Sequence, residues 1–230
     1  MKTFEPILED KPIEYAYNLP KIFRNTAREK AFGSPVYFFP PNYTLEQFGC
    51  GGYHYQYGYP YDIKRGYKGN CTYWFGCRYL EVSGITLKEV IDSAKNIFKN
   101  YKGRKDGGLN SGMYIGETIQ KGDGLVFADN LENTGDGHIV FVEDVEGNTL
   151  HISESAYSQK SVYEGKACIV YTLDKNKMVC GKSITLRPQL PYSEYLIGVI
   201  HTGDVFDKEK DYKALYEEAQ NKLNKIKEIL

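Results

Sequence analysis

The chain has 230 residues, of which 41% are hydrophobic and 26% charged, a composition typical of a globular domain with a buried core. Its formal net charge is −1 and the two signs are mixed along the sequence, which argues against binding to nucleic acid or to an anionic membrane. The sequence contains neither a membrane-spanning apolar run nor the pattern of a secretion signal, so we expect synthesis in a cytoplasm.

The first 58 residues are a tyrosine-rich segment in which proline and glycine punctuate short aromatic runs such as PVYFFPPNY. No helical period is sustained there, so we predict an irregular N-terminal extension with edge strands at most. The 21 tyrosines of the chain favour a packing layer, and a surface that contacts sugars or protein partners is the alternative.

Two helices are predicted after this extension. The first runs from Cys71 to Val82, where Gly76 is the only helix-breaking residue, and it ends at the Ser-Gly pair that follows. Thr86 is then predicted to cap a second helix, LKEVIDSAKNIFKNY, because the apolar residues of that stretch fall at helical spacing.

A series of short apolar runs follows an irregular, glycine-rich connection over residues 103–124. Their length and their β-branched and aromatic residues predict five strands: GLVFA, HIVFVEDV, TLHISE, ACIVYTL and YLIGVIH. The sequence VEGNT between the second and third runs predicts a hairpin. Helices followed by antiparallel strands predict an α+β fold, with the helices packed on a sheet of about five strands.

The last segment, residues 206–230, is predicted to be an amphipathic C-terminal helix. It carries an apolar seam at alternating spacings of four and three, formed by Tyr212, Tyr216, Ala219, Leu223, Ile226 and Leu230. Such a helix either docks on the domain or associates with a second copy or another protein, and the sequence leaves both possibilities open.

Cys71 is the candidate nucleophile because it stands at the start of a predicted helix. Unpaired backbone N–H groups and the helix dipole stabilise a thiolate at this position and can also face an oxyanion. The five cysteines are an odd number without a pairing rhythm, so we expect free thiols. A free cysteine is more often a small buried residue, and catalysis therefore requires partners.

His138 and Glu154 are the candidate partners. His138 lies where a glycine-rich turn enters an apolar strand, so its ring can be held rigidly and still reach solvent. Glu154 ends an apolar strand face, where a charge needs a partner. With an odd-numbered hairpin loop such as residues 146–148, Glu154 lies opposite Val140 and diagonal to His138, with about 7 Å between the Cβ atoms. A bulge would upset this register.

Zinc binding is the alternative role for the cysteines. Cys50, His54, Cys71 and Cys77 would be the ligands, but their C-x3-H and C-x5-C spacings differ from the usual zinc patterns. We therefore expect neither a metal nor a cofactor.

Three segments, GNCTYWFGCRYLE, GDGHIVFVEDVEGNTLHISESAY and YLIGVIH, together resemble the cysteine, histidine-dependent amidohydrolase/peptidase (CHAP) domains of phage and bacterial cell-wall hydrolases. The resemblance places a catalytic domain at residues 59–205 and implies a papain-like α+β fold. It assigns Cys71 as nucleophile, His138 as general base and Glu154 as the residue that orients His138. Asn70, Trp74 and Tyr157 match the family's motifs and are expected to contact substrate.

The function implied by this resemblance is hydrolysis of an amide bond in peptidoglycan, by an N-acetylmuramoyl-L-alanine amidase or an endopeptidase. The lack of a secretion signal and of a wall-binding module favours a phage lysin made in the host cytoplasm and acting on the cell wall. The two terminal segments, read as docking elements for phage tail proteins or for a second copy, favour a virion component. A non-enzymatic phage tail protein that retains a CHAP-like scaffold is the alternative, against which the complete Cys, His and Glu set argues.

Overall fold

The computed structural model describes residues 4–12, 14–15, 21–23, 37–39, 71–84, 87, 93–132, 135–156 and 165–202. Within these ranges two helices pack on a curled antiparallel sheet, which confirms the predicted α+β class. The predicted C-terminal helix and most of the N-terminal extension lie outside the described residues. No helix in the described part of the chain is long and apolar enough to cross a membrane.

Helix α1 (Cys71–Ser83) begins at the predicted residue and ends one residue later than predicted. Gly84, at φ 72°, closes it by donating its N–H to the Leu80 carbonyl at 2.9 Å. Helix α2 (Ala94–Asn100) differs from the prediction, because Leu87 is not helical and Ser93 has the extended backbone of an N-cap residue. A predicted continuous helix from residue 87 is therefore wrong, because the extended backbone of Ser93 separates Leu87 from the helix that begins at Ala94.

The strands, in chain order, are β1 (Lys11–Pro12), β2 (Lys21–Phe23), β3 (Tyr37–Phe39), β4 (Lys105–Gly107), β5 (Gly124–Ala128), β6 (His138–Glu146), β7 (Thr149–Ser155), β8 (Lys166–Asp174), β9 (Ser183–Leu186) and β10 (Tyr192–Ile200). The main sheet has the order β1-β8-β7-β6-β5-β10-β4, with β9 also paired to β10, and β2 pairs with β3 separately. Every strand pair is antiparallel.

All five predicted strands are present, as β5, β6, β7, β8 and β10. The main sheet nevertheless has eight strands in the described residues rather than about five, because β4 and β9, which were not predicted, and β1, an edge strand of the N-terminal extension, are added. Strand β4 lies in the connection predicted to be irregular. Each of the three added strands has at most four residues, so none offers a pattern long enough to recognise.

The β6–β7 hairpin places Glu154 in the predicted register opposite Val140, but with a different loop length from the predicted one. Its loop contains only Gly147 and Asn148, because Glu146 pairs with Thr149. The register then shifts between Val142 and Asp144, where the strand bulges. Beyond the bulge Phe141 pairs with Ser153, and continuing this register by one residue places Val140 opposite Glu154. The proposed odd-numbered loop is wrong, and the bulge supplies the missing residue of offset.

Strand β6 is buried on both faces, which explains its continuous apolar sequence. Ile139 and Phe141 belong to the core between the sheet and helix α1. Val140 and Val142 belong to a second core enclosed by the curl of the sheet. The strand therefore holds its first residue, His138, at the junction of the two cores.

Part of the N-terminal extension packs on the domain. Ile7 is buried and donates its N–H to Glu143 Oε2 at 3.0 Å, and β1 adds an edge strand beside β8. Phe4 stacks on Phe141 with the ring centroids 6.1 Å apart. The domain limits at residues 58 and 206 stay predictions, but residues 4–12 contact both the helix layer and the sheet.

Candidate active site

Cys71 is the first residue of helix α1, and its side chain is half-buried against the core on the helix side of the sheet. The residues from Thr72 to Leu80 are all buried, so the first turns of the helix are fixed by packing. The first N–H groups of an α-helix have no partner within the helix, and Cys71 stands at this end of helix α1. The positive end of the helix dipole lies at this terminus.

His138 is positioned by the turn that precedes β6. Gly137 adopts φ 73°, and a Cβ atom at this position would lie 2.6 Å from the Phe127 carbonyl oxygen. Only glycine fits so close to β5, where His138 pairs with Phe127. His138 is 7% exposed, so the residue is almost enclosed while its strand is held on both sides.

Glu154 is fully buried near the end of β7 and is surrounded by hydrogen-bond donors. Its Oε2 atom contacts His138 Nε2, and the Tyr171 hydroxyl donates to the same oxygen at 3.3 Å. Arg187 donates its Nε–H to Oε1, and its Nη2 lies 3.3 Å from Oε2. This set of partners offsets the cost of burying a carboxylate.

The Cys71 side chain lies close enough to His138 to act on the pKa of that ring by hydrogen bonding. Burial alone would lower the pKa of His138, but the charges of Glu154 and Glu194 and the hydrogen bonds to Cys71 and Glu154 raise it well above its usual value. The imidazolium form is therefore favoured, and it stands between a thiol on one side and a carboxylate on the other.

Glu154 itself is held in the ionised form. Burial would raise the pKa of this carboxyl, but His138 and Arg187 lower it below its usual range by charge and by hydrogen bonding. Burial and the neighbouring Glu154 charge raise the pKa of Tyr171 well above its usual value, so the phenol stays a hydrogen-bond donor.

Two charged residues of this cluster were not predicted. Arg187, directly after β9, places Nη2 3.2 Å from His138 Nε2. No local pattern marks it, since β9 itself was not predicted. Glu194 on β10 is 2% exposed, and its Oε2 has no hydrogen-bond partner among the described residues. The alternation of strand faces could have found Glu194, because it lies two residues before the buried Leu196 and therefore on the same face of β10.

The structure brings together three of the six predicted site residues, Cys71, His138 and Glu154. Trp74 is fully buried, and its Nε1–H donates to Ser153 Oγ at 3.0 Å, while its expected contact with substrate stays a prediction. It is a core residue of helix α1. Asn70 and Tyr157 lie outside the described residues.

A buried ion pair fixes the helix that carries Cys71. Arg78 donates from Nε to Glu143 Oε1 at 2.9 Å and from Nη2 to Oε2 at 2.8 Å, in a two-point contact. Ser153 donates its hydroxyl to Glu143 Oε1 at 2.6 Å, and the same hydroxyl accepts from Trp74. Helix α1, β6 and β7 are thus joined by one network beneath the site.

The described residues contain no group of three or more His, Cys, Asp or Glu side chains that could hold a metal ion. Cys77 is fully buried, and Cys50 and His54 lie outside the described part of the chain.

Scans against protein-family models, curated proteins and solved structures find no match for this chain. Function is therefore inferred from the geometry of the site and from the motif resemblance.

Proposed function

We propose that this protein is a cysteine hydrolase that cleaves an amide bond of peptidoglycan. Cys71 acts as nucleophile, His138 as general acid and base, and Glu154 as the residue that orients His138. The convergence of the Cys71 side chain and the Glu154 carboxylate on the His138 ring carries the proposal. The helix bearing the cysteine and the strands bearing the other two residues suit a papain-like arrangement.

The first chemical step forms a thioester. The Cys71 thiolate attacks the amide carbonyl carbon, and the N–H groups at the start of helix α1 are suited to stabilise the oxyanion. The C–N bond then breaks, and the His138 imidazolium gives its proton to the leaving amine. Glu154 and Arg187 both contact Nε2 of the ring, which leaves Nδ1 for the cysteine sulfur.

The second step restores the enzyme. Neutral His138 takes a proton from a water molecule as the water oxygen attacks the thioester carbonyl. The C–S bond breaks, the acyl group leaves as a carboxylic acid, and the thiolate and imidazolium are regenerated. The ionised Glu154 stabilises the imidazolium in both steps and keeps the ring in one orientation.

Clearing of Gram-positive cell walls in a zymogram and in a turbidity assay tests this proposal. We expect Cys71→Ala to lower the rate by about 10³-fold or more, because the nucleophile is lost. Cys77→Ala is the matched control, since it removes a buried sulfur from the same helix and leaves the site intact. Circular dichroism of both variants checks their folding.

Two outcomes would contradict the proposal. Clearing by Cys71→Ala at the wild-type rate would remove the assigned nucleophile. A wild-type protein that clears no wall from a panel of hosts would favour the alternative, a non-enzymatic phage tail protein with this scaffold. If walls are cleared, mass spectrometry of the new amine and carboxyl ends identifies the bond and separates an amidase from an endopeptidase.

The biological setting is a further part of the proposal. We assign the protein to the phage lysins, with delivery as a tail-associated component rather than as a free endolysin. The tyrosine-rich segment 1–58 and the heptad-like segment 206–230 support this assignment as candidate docking elements. Purified virions probed with an antibody against the chain provide the test, and absence from particles would contradict a virion role.

A further inference from the structure

Arg187 is the one arginine among the described residues that contacts both the candidate base and the carboxylate behind it. Its Nε donates to Glu154 Oε1, while Nη2 lies 3.3 Å from Glu154 Oε2 and 3.2 Å from His138 Nε2. We infer that Arg187 is a positioning residue, which holds the Glu154 carboxylate in a fixed orientation and shares its negative charge with His138. This inference deepens the proposed function and rests on it for its kinetic consequences.

The guanidinium is itself held in place, which supports a positioning role. Arg187 has φ 54°, a left-handed conformation that is unfavourable for a residue with a side chain, so the surrounding turn must impose it. The turn is closed by the N–H of Leu190, which donates to the Arg187 carbonyl at 3.0 Å. The guanidinium carbon also lies 5.8 Å from the centre of the Tyr192 ring.

The fork shape of arginine explains why this residue type suits the position. A guanidinium offers two parallel donors to the two oxygens of a carboxylate, whereas a lysine ammonium offers a single point of charge. Its side chain is only 16% exposed, so the contact is little screened by water. Glu154 therefore has one orientation in which it faces both Arg187 and His138.

Several charged or titratable groups face His138, each from a different element. They are Cys71 on α1, Glu154 on β7, Arg187 after β9 and Glu194 on β10, while Tyr171 on β8 contacts Glu154 and Asp129 lies near Glu194. Arg187 is the permanent cation of this set. Without it, two buried carboxylates would act on the imidazole with no opposing charge.

The positive charge of Arg187 sets the direction in which this residue shifts the pKa of His138. A positive charge beside an imidazole disfavours its protonated form, so Arg187 opposes the rise that Glu154 and Glu194 cause in the pKa of His138. Its removal should raise the pKa of His138 further. The base would then hold its proton too tightly to return it to the leaving amine, and turnover would slow.

NMR titration of His138 in protein labelled with ¹³C-histidine tests this inference independently of activity, since the chain contains only four histidines. We expect Arg187→Gln to raise the midpoint of the His138 titration by about 1 to 3 pH units. At the wild-type midpoint, the His138 imidazole of this variant would still be protonated. Lys177→Gln is the control, because it removes an exposed cation beyond the far end of β8 and should leave the midpoint unchanged.

Arg187→Lys separates charge from orientation and serves also if Arg187→Gln fails to fold. It keeps the positive charge, so the His138 midpoint should stay close to that of the wild type. The two-point contact is lost, so kcat for wall hydrolysis should fall about tenfold or more with little change in KM. In Arg187→Gln the basic limb of the activity profile should move upward together with the NMR midpoint.

The titration of His138 and the kcat of Arg187→Lys can each overturn the inference. An unchanged or lowered His138 midpoint in folded Arg187→Gln would overturn the inference, as would full wild-type kcat in Arg187→Lys. If the wild type clears no cell wall, the proposed function fails, whereas the titration still decides whether Arg187 controls the charge of His138.

Discussion

The Arg78–Glu143 pair illustrates how single residues support the site without belonging to it. The Glu143 carboxylate is fully buried, and its four donors come from Arg78, Ser153 and the backbone of Ile7. Burying such a charge carries a desolvation cost, which these hydrogen bonds and the two-point contact with Arg78 offset. Removing one partner leaves the other charge uncompensated in the core, so the pair should be sensitive to substitution.

Arg78→Met is expected to lower the free energy of unfolding by about 3 to 5 kcal/mol, because Glu143 would remain buried without its cation. Denaturant unfolding provides the measurement. Arg104→Met is the control: its side chain is 47% exposed and lies 3.9 Å from Asp106, so the expected loss is less than about 1 kcal/mol. Equal losses in the two variants would show that the buried pair has no special role.

Much of the candidate site could be predicted from the sequence at the residue scale, because its members carry local signals. Cys71 stands at a helix start, His138 follows a glycine turn, and Glu154 is a charge on an apolar face. Arg187 carries no such signal. Its position depends on a turn after an unpredicted strand and on a partner 33 residues away in sequence, and only the folded chain brings the two together.

At the scale of elements, the β6–β7 hairpin reaches the predicted register through two features that compensate each other. A two-residue loop would by itself place Val140 and Glu154 out of register, and the bulge near Glu143 corrects this by one residue. The bulge coincides with the contact between Glu143 and Arg78 on helix α1. The sequence could show the alternation of the strands, but a bulge beside a contact with a residue distant in sequence has no local pattern.

The turn that enters β6 also depends on one residue type. Gly137 and Gly147 both have positive φ, 73° and 58°, but only Gly137 has a close neighbour. A Cβ at Gly137 would lie 2.6 Å from a backbone oxygen of β5, whereas a Cβ at Gly147 meets nothing within 4 Å. The two positions therefore form a matched pair for separating backbone strain from steric clash.

Gly147→Ala is expected to cost about 1 kcal/mol of unfolding free energy from strain alone, and Gly137→Ala about 2 to 4 kcal/mol because the clash adds to the strain. Gly137→Ala should also weaken the contact between His138 and Glu154, which the NMR titration of His138 would report as a lower midpoint. Denaturant unfolding of both variants measures the difference. Equal costs would contradict the clash with β5.

At the scale of the whole molecule, β10 connects the parts of the curled sheet. It pairs with β5, β4 and β9, and so joins the predicted centre of the sheet to two strands that were not predicted. The order of helices and strands was enough to predict the α+β class. The short edge strands were out of reach, because their existence depends on the partner strand that binds them rather than on their own three or four residues.

His201 closes this arrangement at the end of β10. Its Nδ1 lies 3.0 Å from Asp123 Oδ2, in the turn before β5, and its Nε2 lies 2.7 Å from Asp106 Oδ2 on β4. The imidazole side chain is fully buried between the two carboxylates. Burial would lower the pKa of His201, but hydrogen bonding and charge from Asp123 and the hydrogen bond to Asp106 raise it above its usual value. The protonated ring therefore links three segments of the sheet.

The stability that this link supplies should depend on pH. Because the folded-state pKa of His201 is raised above an unfolded value of about 6.5, its contribution is fully present below that pH and is lost as pH rises through the folded-state pKa. His201→Gln should lower the unfolding free energy by about 2 kcal/mol at pH 6, and the difference from wild type should shrink toward pH 9. His151→Gln is the control, since it breaks only a 3.4 Å contact with an exposed Glu146. Denaturant unfolding across this pH range measures both, and a His201→Gln deficit that stays constant would show that the ring acts there as a neutral hydrogen-bonding group.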